Sequence, residues 1–229
     1  PGSAASNAWI DQFIPALRDH LDEKGWTDMW WMHIGDEPGD AQVIADYKYL
    51  ANRVKAAWNR DDLKLGDAMF SYGAATQLVR YPNIWIPITD MFEQNRTFFT
   101  NRQALGEEVW FYNCSSPRGM NLNRGIDQPV WMQRATIWMA YKYGVTGYLH
   151  WGFNAWHYNL DEQYVKGDGW IVKPDKPNLK LKLTIRYESL RDGIEDYELF
   201  KIAEQVNPGI TKGIEDSLIS SGTRYTRDT

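Results

Sequence analysis

A chain of 229 residues, 24% of them charged and carrying a net charge of −5, makes one large domain or two small ones around a sizeable core. Neither half holds a long basic run, so no nucleic-acid surface is expected, and no apolar run nears the roughly 20 residues of a membrane span. A lone cysteine, Cys114, allows no intrachain disulfide. No signal peptide is visible, and residues 1–6 (Pro1-Gly2-Ser3-Ala4-Ala5-Ser6) read as an expression scar or linker. An amphipathic helix follows over residues 7–24 (Trp9, Ile10, Phe13, Ile14, Leu17, Leu21), stopped by Gly25. Residues 28–35 make a first strand, and residues 41–58 a helix with apolar positions at helical spacing. Leu63 to Phe70 is the second strand, 74–80 a short helical segment, and Ile84 to Ile88 the third strand. A helix over 95–105, a fourth strand over Val109 to Asn113, a long helix over 127–143 closed by Gly144 and a fifth strand over Val145 to Trp151 complete the alternation. The chain from Gly152 to Lys182 is rich in loop residues, a last helix spans about Thr184 to Gln205, and a polar tail follows Pro208.

Five consecutive strand–helix units imply a parallel sheet with right-handed crossovers. Five do not close an eight-stranded barrel. The choice lies between a complete open sheet and the C-terminal five-eighths of a (β/α) barrel whose first strands are missing. No Gly-rich phosphate loop follows a strand, which favours the partial, TIM-like barrel over a nucleotide-binding sheet. The expected division is 1–6 as scar or linker, 7–206 as the partial barrel and 207–229 as a tail.

In a barrel the chemistry lies at the C-terminal ends of the strands. Those ends carry His33, Asp36 and Glu37; Asp67 with Ser71 and Tyr72 beyond; Thr89-Asp90; Tyr112-Asn113-Cys114-Ser115; and His150-Trp151 with Asn154 and Trp156. The adjacent carboxylates Asp36-Glu37, closed off by Pro38, stand out. Neighbours on a regular strand point to opposite faces, so two acids facing one pocket require a break or bulge at Gly35-Asp36. The bland alternative is a helix N-cap, with Asp36 or Asp40 capping and Glu37 solvated. His33 and His150 sit in apolar strands, where satisfied core histidines are equally expected. Trp30, Trp31, Trp110 and Trp138 read as packing, and Trp151 and Trp156 as sugar platforms. Asp168 between two glycines is most simply a turn. Arg186, Glu188, Arg191 and Asp192 have the spacing of helix-surface pairs. Three histidines near strand ends (His33, His150, His157) lack metal-ligand spacing, so neither a metal nor any other cofactor is expected. Cys114 reads as an inert buried thiol.

Several runs together resemble the catalytic half of glycoside hydrolase family 123 and a related, mostly uncharacterised bacterial domain family. They are His33-x-x-Asp36-Glu37-Pro38, Trp110-Phe111-Tyr112-Asn113-Cys114, Trp138-x-x-x-Lys142-Tyr143-Gly144-Val145-x-Gly147-Tyr148-Leu149-x-Trp151, Gly167-Asp168-Gly169, and Arg186-x-Glu188-x-x-Arg191-Asp192-Gly193-Ile194-Glu195-Asp196-Tyr197. The match spans roughly residues 28–200. The resemblance implies a TIM-like barrel, usually preceded by a β-sandwich, that removes terminal β-linked N-acetylgalactosamine from glycans outside the cytoplasm of a bacterium. The sandwich and the first barrel strands are expected in the full-length protein. The family's Asp-Glu pair falls on Asp36 and Glu37. Lys173-Pro174-Asp175-Lys176 departs from the family's Tyr-Pro-Gly after the Gly-Asp-Gly turn.

Adjacent acids suit substrate assistance better than two separated carboxylates, which stand about 5–5.5 Å apart for retention or 6.5–9.5 Å for inversion. Counting the fifth strand as the barrel's eighth, the usual nucleophile position falls at the end of Val109 to Asn113, where no acid stands. The expected roles are Glu37 as general acid then base, and Asp36 as partner of the acetamido N–H. Tyr112 would donate to the acetamido oxygen, Trp151 would be the sugar platform, and Asn113, Asn154 and His33 would bond hydroxyls. Asp90, His150 and Trp156 complete the expected substrate-binding set. Two alternatives remain: a non-catalytic carbohydrate-binding or scaffold domain, and an inverting enzyme pairing Glu37 with Asp90 or Asp67.

Overall fold

A computed structural model describes residues 1–156 and 166–226; His157, one of the three histidines weighed and set aside as metal ligands, lies outside them. The chain separates into two compact units, Pro1–Pro87 with Thr97–Glu108, and Ile88–Arg96 with Val109–Thr229. Each is described by itself.

The first unit opens with α1 (Ala4–Lys24). The helix begins inside the segment read as a scar, because the Ser3 side chain accepts the Ser6 N–H at 3.1 Å and so provides an N-cap. It stops at Gly25, which takes the left-handed conformation (φ 68°). Its buried stripe of Ile10, Ile14 and Leu21 packs on α2 (Ala41–Trp58), whose Ile44, Tyr47, Ala51, Val54 and Trp58 recur at helical spacing. Strands β1 (Gly66–Met69) and β2 (Ile84–Pro87) pair in parallel, and every residue of both is buried. A strand with both faces covered reads as a continuous apolar run, as Ile84-Trp85-Ile86 does. The short helix α3 (Tyr72–Gln77) lies between them, and α5 (Arg96–Ala104) presents Phe99 to this core.

The expected first strand over 28–35 is not a strand. Thr27–Met29 is a single 3-10 turn, and only Met32 makes a parallel bridge, to Leu65.

In the second unit, Ile88 bridges in parallel to Tyr112 at the end of β3 (Glu108–Tyr112), and β3 pairs in parallel with β4 (Gly147–Leu149). The helix α4 (Thr89–Gln94) was not foreseen. Helix α6 (Met132–Lys142) is buried almost throughout and packs on α7 (Ile185–Val206), where Arg134 and the Trp138 indole N–H converge on Asp196. The stretch expected as loop contains an antiparallel hairpin, β5 (Val172–Asp175) with β6 (Lys180–Leu183). The expected tail is also folded: α8 (Ile210–Leu218) leads into β7 (Ile219–Ser221) and β8 (Arg224–Tyr225). Ile219 is fully buried, and the Gly222 N–H bonds Glu93 of α4 at 2.6 Å.

The fold is thus mixed α/β with parallel pairing between the strands that alternate with helices, as expected. The described strands do not close a barrel. Among the described residues no helix is long and apolar enough to cross a membrane.

Candidate active site

In the first unit, the acids follow an interruption of the parallel ladder. The Met32 N–H bonds the Lys64 carbonyl at 2.8 Å, and the Gly66 N–H returns to the Met32 carbonyl at 3.0 Å. In unbroken register the amide facing the Ala68 carbonyl would be that of Asp36. It is instead that of Glu37, at 3.1 Å. One extra residue has entered between Met32 and Glu37, which is the bulge the sequence requires. Glu37 absorbs the change in the left-handed region (φ 47°), an unfavourable conformation for a side chain with a Cβ.

The amides released by the bulge are captured by one side chain. Asp67 Oδ1 accepts the N–H groups of Ile34 (2.8 Å) and Gly35 (3.0 Å) and lies 2.8 Å from His33 Nδ1. Its Oδ2 accepts the Tyr47 hydroxyl of α2 at 2.5 Å. The Asp67 side chain is 0% exposed, and a carboxylate can be buried only with such partners. Sealed from solvent, it has no surface from which to meet a substrate water, so the inverting alternative that used Asp67 as base is not supported. Burial and the adjacent Asp67 push the Tyr47 hydroxyl's pKa well up, so it stays a donor.

His33 stands with its ring edge-on to Trp31 and its side chain 44% exposed. The hydrogen bond to Asp67 raises its pKa above the usual 6.5; partial burial opposes this, and the charges of Asp67 and Asp36 add to it. The cap that the bland alternative offered to Asp36 or Asp40 is made by Asp40, whose Oδ1 accepts the Val43 N–H at 2.9 Å and starts α2. Asp36 is exposed and Glu37 partly so.

Phe70, just past β1, was missed by the sequence reading. Its ring lies against Gly39, where a Cβ would come within 2.7 Å of Phe70 Cζ, yet the residue is 49% exposed. Tyr72, also exposed, meets Phe98 edge-on. An aromatic at a strand's C-terminal end beside a glycine was the available signal.

In the second unit, Trp151 is 49% exposed, and its indole N–H donates to Asp168 Oδ2 at 2.8 Å. Asp168 is therefore more than a turn residue: it is buried and fixes the ring plane. His150 stacks beside Trp151 with its side chain 4% exposed. Its Nδ1 accepts the Gly152 N–H at 3.2 Å, which puts the proton of the neutral ring on Nε2. Nε2 stands 3.2 Å from Asp168 Oδ1, too poorly aligned for a hydrogen bond but close enough for charge to act. Burial lowers the His150 pKa to about 4; Asp168 opposes this, while Arg124 and Arg186 reinforce it.

Two buried guanidiniums frame this turn. Arg124 donates to the carbonyls of Gly152 and Asp168. Arg186, expected on the helix surface, is buried and donates to the carbonyls of Arg124, Gly167 and Trp170 while lying over the Trp170 ring. Arg191 does make the expected surface pairs, with Glu188 and Glu195.

The structure corrects several expected substrate contacts. Asn113 is 0% exposed; its Nδ2 bonds the Leu122 carbonyl and its Oδ1 accepts the Tyr148 hydroxyl at 2.7 Å. Tyr112 is likewise buried. Both belong to the interior because β3 has covered faces, and neither presents a free edge to a sugar. The His150 side chain is likewise interior, 4% exposed. Asp90 sits partly exposed in the first turn of α4, its Oδ1 bonded to the Met91 N–H at 2.9 Å. Asn154 is exposed and bridges by its backbone to Trp170, and Trp156 is anchored by its indole N–H to the Val172 carbonyl at 2.8 Å. Among the described residues no group of three or more His, Cys, Asp or Glu could hold a metal ion.

The family model for the glycoside hydrolase 123 catalytic domain matches residues 1–203. The chain belongs to glycoside hydrolase family 123. Among solved structures it is similar to a family 123 glycoside hydrolase from Clostridium perfringens, described for glycolipid glycan hydrolysis, with a TM-score of 0.71 at 21% identity. The similarity covers 94% of this chain but only 38% of the Clostridium chain. At that identity the likeness speaks for the fold alone. No curated protein matches the chain significantly.

Proposed function

We propose that this family 123 domain is a glycoside hydrolase that removes terminal β-linked N-acetylhexosamine, with N-acetylgalactosamine as the expected sugar, by a substrate-assisted retaining mechanism. The acetamido oxygen of the substrate attacks the anomeric carbon as the bond to the leaving oxygen breaks. Glu37 gives that oxygen its proton, and an oxazolinium ion forms. Asp36 accepts the acetamido N–H and offsets the growing positive charge. Water then opens the ring at the anomeric carbon while Glu37 takes a proton from it, which restores the amide with net retention.

The observation that carries this reading is the one-residue bulge. It shifts the backbone by one residue just before the adjacent acids, so that Glu37 and not Asp36 meets the Ala68 carbonyl. Membership of glycoside hydrolase family 123 supports hydrolysis of a glycan. Trp151, half exposed with its plane fixed by Asp168, is proposed as a sugar-stacking ring, and His33 as a hydroxyl partner.

The test compares an aryl β-N-acetylgalactosaminide with the aryl β-galactoside of the same leaving group, using this chain and its natural full-length form. Cleavage of the first alone is expected, since only the 2-acetamido sugar brings its own nucleophile. Equal cleavage of both would overturn substrate assistance, and cleavage of neither would overturn the hydrolase reading.

A further inference from the structure

Asp67 is the most heavily partnered acid of the first unit, and the mechanism above gives it no step. It lies inside β1 with no exposed surface, yet it reaches three parts of the structure at once. These are the His33 imidazole, the two amides of Ile34 and Gly35 immediately before the acids, and the Tyr47 hydroxyl on α2. A purely structural role would need only the amides. Two backbone N–H groups can be satisfied by a neutral acceptor, such as an asparagine amide or a water. A buried carboxylate is a costly way to do it. What the negative charge adds is felt at the one partner that can become a cation, His33, which is open to solvent on its other side.

We propose that Asp67 is a positioning residue for the reaction, which pins the bulge before Asp36 and Glu37 and holds the His33 imidazole by its Nδ1. The inference rests on the reading of Asp36 and Glu37 as the catalytic pair. The charges that act on His33 are those of Asp67, from β1, and of Asp36, on its own turn, with the Gly66 backbone adding a hydrogen bond. Tyr47 acts only through Asp67: its donation steadies the carboxylate and keeps the second oxygen from turning toward solvent. A protonated imidazole has a second N–H to give, and His33 is the proposed partner of a substrate hydroxyl. Deprotonating His33 removes that donor. Activity should therefore fall on the alkaline side as His33 loses its proton, and Asp67 should set where this limb lies.

The experiment is an NMR titration of the histidine side chains in wild type and Asp67→Asn, with His33 assigned by its absence in His33→Gln, alongside kcat/KM against pH. The amide keeps the shape and an acceptor for Ile34 and Gly35 but removes the charge. In wild type, His33 is expected to titrate above an ordinary histidine. In Asp67→Asn its midpoint should fall by about one pH unit or more, and the alkaline limb of kcat/KM should move acid-ward by the same amount.

An unchanged His33 midpoint in Asp67→Asn would overturn the proposal, as would a wild-type midpoint at or below the ordinary value. So would a limb that stays in place while His33 shifts. Should Asp67→Asn fail to fold, Tyr47→Phe takes its place. Losing one donor leaves the carboxylate a stronger partner, so the His33 midpoint should hold or rise, and a fall would contradict the proposal. The titration needs no turnover. A protein whose His33 behaves as described but which cleaves no hexosaminide would retain the Asp67–His33 couple and lose the proposed function.

Discussion

Each unit of the protein holds a histidine against a buried aspartate, and the two pairs behave in opposite ways. In the first, His33 bonds Asp67 at 2.8 Å with its other side in solvent, and its pKa rises. In the second, His150 stands 3.2 Å from Asp168 but is enclosed, with Arg124 and Arg186 nearby, and its pKa drops to about 4. A neighbouring carboxylate does not by itself decide whether an imidazole is charged. Access to water and the sign of the remaining neighbours decide it, because desolvation penalises the charged form most where the ring is sealed. One pair is suited to chemistry at an exposed surface, the other to holding Trp151 and the Gly167–Gly169 turn in place.

Breaking the second pair should cost most in stability. Asp168→Ala removes the acceptor of the Trp151 indole and a carboxylate acting on two buried guanidiniums. A loss of about 3–5 kcal/mol is expected, read by chemical denaturation. A change below about 1 kcal/mol would show that the carbonyl contacts of Arg124 and Arg186 suffice without it.

The pH dependence of folding separates the pairs by sign. His150 has a folded pKa of about 4 against 6.5 in an unstructured chain. Between those values the unfolded state binds more protons, so stability falls as the pH drops. From pH 7 to pH 5 His150 should account for a loss of about 2 kcal/mol, and His150→Gln should flatten that part of the curve. For His33 the folded pKa is raised, so its stabilisation is complete below the ordinary value and is lost as the pH climbs through the folded one. His33→Gln should leave the acid-side loss in place and remove an alkaline-side one. Opposite results from the two substitutions would reverse the comparison.

Trp151→Phe is the mildest change. It keeps an aromatic face and removes only the indole N–H donated to Asp168, so a cost of about 1–2 kcal/mol in stability is expected. If the ring is a sugar platform, KM should rise several-fold with kcat nearly unchanged; an unaltered KM would remove Trp151 from the substrate.

The contrast also explains what could be read in the sequence. The helix stop at Gly25, the cap at Asp40 and the apolar run of β2 are local signals, and each appears where the sequence put it. A bulge before Asp36-Glu37 was expected from the period of a strand together with the requirement that both acids face one pocket. What was not legible depends on distant partners. The spacing of Arg186 on a helix suggested a surface pair, and nothing nearby in sequence revealed the three carbonyls that draw it inward. The segment 28–35 has a strand's apolar composition, but Asp67 diverts its amides, leaving a single bridge. Asn113 looked like a polar group at a strand end, until Tyr148, 35 residues on, took its oxygen into the interior. The hairpin of β5 and β6 lay hidden among prolines and lysines that read as loop.

The most direct test of the account is the turnover of Glu37→Gln on an alkyl β-N-acetylgalactosaminide, whose poor leaving group depends on a proton donor. The account predicts a fall of about 10³-fold in kcat with binding of the sugar largely retained. A variant that keeps a tenth of the wild-type rate would show that Glu37 is not the acid.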